Sequence, residues 1–227
     1  GKTPACSNLL SILKPKKIII GWHDPISEHS GGVEKLKKSG IEVEVLNDKR
    51  CYKLIEPFIK WQKQFIFFKF AFSLNGVYKG GYITKKTSLE WVHKVRDKID
   101  LIIIGGETVR IDRPTLDSRF INGKAPYILI YSKQKKFDKN IPLFKIPNRK
   151  VFISDNLEII KNYKFIVVEG GENFYQQFKN IVNWNLFIVN QNKMIKGKNF
   201  KLSENINTIY IDKKEDLFIY FRGIEKS

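Results

Sequence analysis

Ile102-Ile103-Ile104-Gly105-Gly106-Glu107-Thr108 and Ile166-Val167-Val168-Glu169-Gly170-Gly171-Glu172 share one design. An aliphatic run suited to a strand buried on both faces passes through paired glycines into a helix. Such a turn leaves free backbone N–H groups and the positive end of a helix dipole at the sheet edge. Glycine there lets a ligand approach the backbone closely. One glycine pair after a strand is weak support, because turns use glycine for their own geometry. Two in one chain favour phosphate-bearing ligands held at a common sheet edge.

Outward from these turns the chain alternates strands and helices. Phe65 to Ser73 is an apolar run typical of a buried central strand, and Ser73-Leu74-Asn75-Gly76 is a turn. A helix over Ser88 to Lys98 leads into the strand Leu101 to Ile104, and a short helix follows Gly105-Gly106. Strands are expected at Tyr127 to Tyr131, Lys150 to Ile153 and Phe165 to Val168, with a helix over Glu172 to Val182. Leu186 to Val189, Thr208 to Ile211 and Leu217 to Phe221 are strand-like and end the series. The pattern predicts an α/β fold with a mostly parallel sheet, flanking helices and an antiparallel edge. Before it, Lys17 to Gly21, Gly32 to Ser39 and Ile41 to Leu46 form a βαβ rhythm, followed by a helix from about Cys51 to Lys63. The domain boundary falls near Gln64, giving a segment of residues 1–63 and a domain of residues 64–227.

The 227 residues are 42% hydrophobic and 13% aromatic, ample for a sizeable core. No apolar run reaches the roughly 18 residues needed to cross a bilayer, and no signal-peptide pattern follows Gly1, so a cytoplasmic location with no membrane contact is expected. Two cysteines, Cys6 and Cys51, are too few for a disulfide scaffold or a four-cysteine zinc site. Lys plus Arg outnumber Asp plus Glu by 41 to 23, for a net charge of +18, and the resulting field attracts anions. The lysines are scattered and not interleaved with aromatics, and the abundance of Lys, Ile, Asn, Phe and Tyr resembles the bias of an AT-rich genome. Nucleic acid is therefore not an expected partner. The only methionine is Met194, so coding sequence is expected upstream of Gly1.

Three further features bear on chemistry. Val109 to Arg119 crowds arginines, carboxylates and hydroxyls into an irregular segment; arginine forks recognise phosphate, and a solvated loop with local ion pairs is the plainer alternative. Glu169 ends an apolar strand, where Glu is seldom found without a partner or a task. Lys69 lies among apolar neighbours, so it either reaches to the surface or lines a pocket. Neither a Gly-x-Ser-x-Gly elbow, a phosphate-binding Gly-x-x-x-x-Gly-Lys-Ser/Thr loop nor a His-Glu-x-x-His motif is present, which disfavours acyl transfer and nucleotide hydrolysis. The deaminase motif His-x-Glu is also absent from this chain, since His23, His29 and His93 have the wrong neighbours.

Taken in order, Lys69-Phe70-Ala71-Phe72-Ser73-Leu74-Asn75-Gly76, Tyr82-Ile83-Thr84, Gly106-Glu107-Thr108-Val109, Asp112-Arg113-Pro114-Thr115-Leu116 to Arg119, and Val168-Glu169-Gly170-Gly171 resemble the successive motifs of the riboflavin-biosynthesis reductase domain. That resemblance implies a dihydrofolate-reductase-like fold. Gly1-Lys2-Thr3-Pro4-Ala5-Cys6, Asp24-Pro25, Ser30-Gly31-Gly32 and Lys38-Ser39-Gly40-Ile41 resemble the closing part of the cytidine-deaminase-like zinc domain that precedes it in the bacterial bifunctional enzyme. The implied reaction is NADPH-dependent reduction of a phosphoribosylaminouracil to its ribitylamino product. The intact protein would also deaminate the preceding pyrimidine through zinc, and a homodimer is implied. By position, Ala71, Tyr82, Thr108, Asp112, Ser132 and Gly171-Glu172-Asn173-Phe174-Tyr175-Gln176-Gln177 match NADPH contacts. Leu116, Arg119 and Glu169 match substrate contacts, with Arg119 the partner for its phosphate. Lys69 matches an active-site lysine and is expected, with Glu169, to be catalytic; Cys6 matches the third zinc ligand. The chain departs from the family where Lys79-Gly80-Gly81 replaces a Ser-Gly-Glu-Ser segment and where Asn75 replaces Asp. Alternatives are a reductase of another pterin- or pyrimidine-like substrate, or a catalytically silent nucleotide-binding subunit.

Overall fold

The structure, a computed structural model, describes residues 4–25, 30–61, 64–78, 83–197, 199–200, 208–213 and 215–222. The chain divides into two compact units, Gly1–Lys60 and Trp61–Ser227. In the first, α1 (Cys6–Leu13), β1 (Lys17–Ile20), α2 (Gly32–Lys38), β2 (Glu42–Val45) and α3 (Lys49–Trp61) follow in order. Strands β1 and β2 pair in parallel, Ile18 opposite Val43, and α2 supplies the crossover that parallel pairing requires. Its boundaries are set by Gly31 and Gly40, both at positive φ (96° and 79°). Leu36 and Ile41 are the apolar residues buried here among those described. The sequence reading assigns no helix to Cys6–Leu13, which forms an eight-residue helix with no buried side chain.

The second unit contains β3 (Phe65–Ser73), α4 (Lys86–Lys98), β4 (Leu101–Gly105), α5 (Gly106–Asp112), β5 (Tyr127–Tyr131), β6 (Val151–Ser154), β7 (Phe165–Glu169), α6 (Glu172–Phe178), β8 (Trp184–Asn190), β9 (Thr208–Lys213) and β10 (Leu217–Arg222). The strands form an eight-stranded sheet in the order β6-β5-β4-β7-β3-β8-β10-β9. β3 to β8 pair in parallel, and β10 runs antiparallel to both β8 and β9. This is the mostly parallel α/β sheet with an antiparallel edge that the alternation predicts.

Side chains along each central strand alternate between two cores. Ile102, Ile104, Val167 and Phe67 join Val92 of α4 and Val109 of α5 on one face. Leu101, Ile103, Ile166 and Phe68 join Tyr175 and Phe178 of α6 on the other. Burying one such apolar side chain contributes ~1.5–3 kcal/mol, which accounts for the largely apolar make-up of β3, β4 and β7.

Helix α4 is capped from afar. The Asp216 carboxylate, on the turn between β9 and β10, accepts from the Lys85 N–H at 2.8 Å, and Glu215 accepts from the Thr87 N–H and hydroxyl. Helix α6 ends at Phe178, short of the expected Val182. Asn183 is the reason: its N–H donates to the Ile66 carbonyl and its side-chain oxygen accepts from the Ile66 N–H, which turns the chain into β8 beside β3.

Candidate active site

The connection from β4 runs through α5 to β5, toward one side of the sheet, whereas that from β7 runs through α6 to β8, toward the other. β4 and β7 are neighbours, with Ile104 opposite Glu169. Adjacent parallel strands whose connections diverge leave a crevice beyond their carboxyl ends. Both glycine turns open onto that crevice.

Two of these glycines are required by packing. A Cβ at Gly106 would lie 2.6 Å from the Ser132 hydroxyl oxygen, and one at Gly170 would collide with the Phe174 ring. Gly106 thus lets the first turn of α5 meet the end of β5. Arg110, one turn along α5, stacks its guanidinium 4.1 Å from the centre of the Phe137 ring and has one buried Nη2 with no hydrogen-bond partner among the described residues.

A charged cluster lies on the α4 face at the end of β7. Glu169 is 9% exposed, and register places Lys69 of β3 directly opposite it. The Lys69 ammonium is 3.2 Å from one carboxylate oxygen, and Arg96 of α4 donates to both oxygens at 3.3 Å. Burial pushes the Glu169 carboxyl up, but Lys69 and then Arg96 outweigh it and hold the group at about 2, so it is ionised. Arg96 also donates to the Asp117 carbonyl at 3.5 Å, and the Asp117 carboxylate accepts from Arg119 at 2.7 Å. Arg149 donates to the carbonyls of Thr115 and Leu116, bracing the segment that carries them; burial lowers its pKa to about 10. Leu116 holds φ at 55°, an unusual conformation for a side chain of its kind. His93 is 2% exposed, and burial, reinforced by Arg96, pushes its imidazole down to about 4. Phe67, Trp91, Val92, Val95 and Ile99 complete a small apolar-walled pocket around Lys69, Arg96 and Glu169.

The expected site residues are thus only partly gathered. Lys69 and Glu169 are in contact, and Arg119 reaches them through Asp117 and Arg96. Leu116 is buried in the core on the α4 face, and Ala71 packs against that core further along β3. Thr108 and Ser132 lie beside the Gly105-Gly106 turn; the Ser132 hydroxyl donates to the Gln134 carbonyl at 2.9 Å. Asp112 is the exposed last residue of α5, one turn beyond Thr108. Gly171 caps α6 and Glu172 opens it. Asn173, Gln176 and Gln177 are exposed, whereas Phe174 packs on Tyr131 and Tyr175 is buried against Phe68. Tyr82 lies outside the described residues. Cys6 is exposed at the start of α1, and no group of three His, Cys, Asp or Glu gathers among the described residues.

Sequence reading misses Arg96 and Arg149; it includes Arg110 and Asp117 in the charged Val109 to Arg119 segment without assigning either a partner. Arg96 does leave a signal: at helical spacing it falls beside Val92, Val95 and Ile99, which puts an arginine on the core stripe. Arg149 leaves none, because its partners lie more than thirty positions away in sequence.

Residues 64–189 match the family model described as the RibD C-terminal domain. The chain is similar to the riboflavin biosynthesis protein RibD of Synechocystis sp. (strain ATCC 27184 / PCC 6803 / Kazusa), 32% identical over 143 residues covering 59% of this chain and 39% of the relative. It is also similar to RibD of Actinobacillus pleuropneumoniae, 30% identical over 183 residues covering 74% of this chain and 49% of the relative. The chain therefore spans less than half the length of either. A diaminohydroxyphosphoribosylaminopyrimidine deaminase/5-amino-6-(5-phosphoribosylamino)uracil reductase from Thermotoga maritima superposes with a TM-score of 0.66 at 24% identity, over 99% of this chain and 76% of that one. That likeness is one of fold.

Proposed function

The chain belongs to the RibD C-terminal domain family, and from that premise we propose that residues 64–227 form an oxidoreductase of riboflavin biosynthesis that reduces 5-amino-6-(5-phosphoribosylamino)uracil with NADPH. The observation that carries this reading is the Lys69–Glu169–Arg96 cluster beside a switch-point crevice flanked by two glycine turns.

The residues present fit a phosphorylated dinucleotide. Gly106 brings the backbone of α5 against Ser132, and the partnerless Arg110 Nη2 beside them is a cationic donor suited to phosphate. Thr108, Ser132, Arg110 and Gly171 would hold NADPH, which supplies a hydride for the sugar C1. The glycosyl carbon then becomes a CH2 and the ring oxygen a hydroxyl, so that oxygen requires one proton. Lys69 is the proton donor in this reading. Glu169 stays ionised, positions Lys69 through their ion pair and accepts hydrogen bonds from the sugar or pyrimidine. Arg119, half exposed and oriented by Asp117, takes the substrate phosphate. Apolar walls at Val92, Val95 and Val167 keep water from the charged pair, which strengthens its field.

Gly1–Lys60, with its parallel β1–α2–β2 unit, is read as the closing part of a deaminase-like domain. Cys6 is the one expected zinc ligand in this chain, and the described residues do not by themselves form a zinc site. No helix among them is long and apolar enough to cross a membrane; a cytoplasmic homodimer is the working expectation for the intact protein. Incubation with NADPH and the aminouracil substrate tests the reading. A product two hydrogens heavier by mass spectrometry is expected, and recovery of unchanged substrate would overturn it.

A further inference from the structure

We infer that Arg149, on the connection between β5 and β6, is a positioning residue for substrate binding: its guanidinium fixes the conformation of residues 114–119, from which Leu116 and Arg119 reach the substrate. The inference rests on the reading of those two residues as substrate contacts.

The segment needs support from outside itself. Residues 113–118 belong to no helix or strand, yet Leu116, Asp117 and Ser118 are buried, so their backbone groups require partners. The β5–β6 connection satisfies three carbonyls in a row. The Leu143 N–H donates to the Pro114 carbonyl at 3.1 Å, and Arg149 donates through one terminal nitrogen to the Thr115 carbonyl at 2.5 Å and through the other to the Leu116 carbonyl. Leu116 holds φ at 55°, in the left-handed region where, as in any helix, successive carbonyls point the same way. That alignment is what lets one planar fork take both, and the two bonds offset the strain of a leucine held there.

Arg149 is itself placed by local chemistry. Ile146-Pro147-Asn148-Arg149 has the pattern of a type II turn: Pro147 second, Asn148 third at a φ of 58°, and the Arg149 N–H donating to the Ile146 carbonyl at 3.4 Å. The charge matters as well as the fork. Among the described residues no carboxylate bonds Arg149, but Asp117 acts on it through space, and Asp117 is the group bonded to Arg119. Arg149 thereby offsets the Asp117 charge and leaves the Arg119 end of the segment attractive to an anion.

Arg149→Met should raise the KM for the aminouracil by about tenfold or more, with kcat and the NADPH Kd held within about threefold. Arg149→Lys, which restores the charge without the fork, should recover part of that loss. Val151→Ala, two residues on, should lower thermal stability without moving KM. Hydrogen exchange reads the same brace without turnover: a peptide covering residues 114–119 should exchange about tenfold faster in Arg149→Met, with β4 unchanged. If Arg149→Met does not fold, Arg149→Lys carries both measurements, with smaller changes in the same direction. An unchanged KM, equal losses for substrate and NADPH, or unchanged exchange over residues 114–119 would overturn the role of Arg149. A native protein that does not oxidise NADPH with substrate would instead overturn the proposed function, and the substrate role with it, while the exchange rates still report whether Arg149 holds the segment.

Discussion

Lys69 and Glu169 are register partners on adjacent parallel strands, and the Lys69 ammonium lies 3.2 Å from the Glu169 carboxylate. Parallel pairing fixes this contact through the backbone, so neither side chain has to search for the other. The pair is mostly buried, with side-chain exposures of 17% and 12%, where an ion pair is worth keeping only if it is well bonded or has work to do. Its separate parts should respond differently to substitution.

Lys69→Met should reduce kcat by roughly two to four orders of magnitude, the span for loss of a positioned proton donor, with little change in NADPH affinity. Glu169 keeps Arg96 as a partner in this variant, so folding should survive. Glu169→Ala, in contrast, leaves two buried cations facing each other and should cost about 3–5 kcal/mol of stability. Single-turnover kinetics and thermal unfolding of the two variants separate these outcomes.

Arg119 is half exposed and bonded to Asp117, free to swing its remaining donors toward an anion. Arg119→Ala should weaken substrate binding by about tenfold or more, as for a lost hydrogen bond to a charged group, and leave the dinucleotide affinity unchanged. Equal losses for both ligands, read by calorimetry, would contradict the assignment.

His93 is neutral in the fold because burial and Arg96 push its pKa from 6.5 to about 4. The unfolded chain takes up that proton near pH 6.5, so between those values the unfolded state binds more protons than the native one. The stability contribution is whole above the window and is lost as pH falls through it, at up to about 1.4 kcal/mol per pH unit. His93→Gln, which keeps an acceptor for the Phe120 N–H, should flatten the slope in chemical denaturation across that range.

Asp216 is fully buried and caps α4 from the β9–β10 turn. Asp216→Ala should lower stability by about 1–2 kcal/mol, the range for a lost helix cap, and Asp216→Asn should restore part of it. Because α4 carries His93 and Arg96, the alanine variant should also lose activity before it unfolds, measurable as inactivation below the melting transition.

The sequence makes the sheet legible because strands buried on both faces must be almost wholly apolar, and β3, β4 and β7 are. The two glycine turns are legible for a similar reason: packing demands glycine at Gly106 and Gly170, where a Cβ would meet Ser132 and Phe174. Glu169 and Lys69 are visible as misfits in apolar strands. Their partnership is not, because register between Phe65–Ser73 and Phe165–Glu169 is set by pairing across about a hundred residues. Arg149 stays hidden for a related reason: it sits in a segment that is locally ordinary and acquires its role through tertiary contact with Thr115 and Leu116. The helix over Glu172 reads too long because the Asn183–Ile66 bonds that stop it are also non-local.

The most direct test is the rate of NADPH oxidation by the purified chain with and without 5-amino-6-(5-phosphoribosylamino)uracil. Oxidation that depends on the substrate, saturates with it and is abolished by Lys69→Met is the expected result. NADPH that binds but is not oxidised when the substrate is present would contradict the account and leave a nucleotide-binding protein without reductase activity.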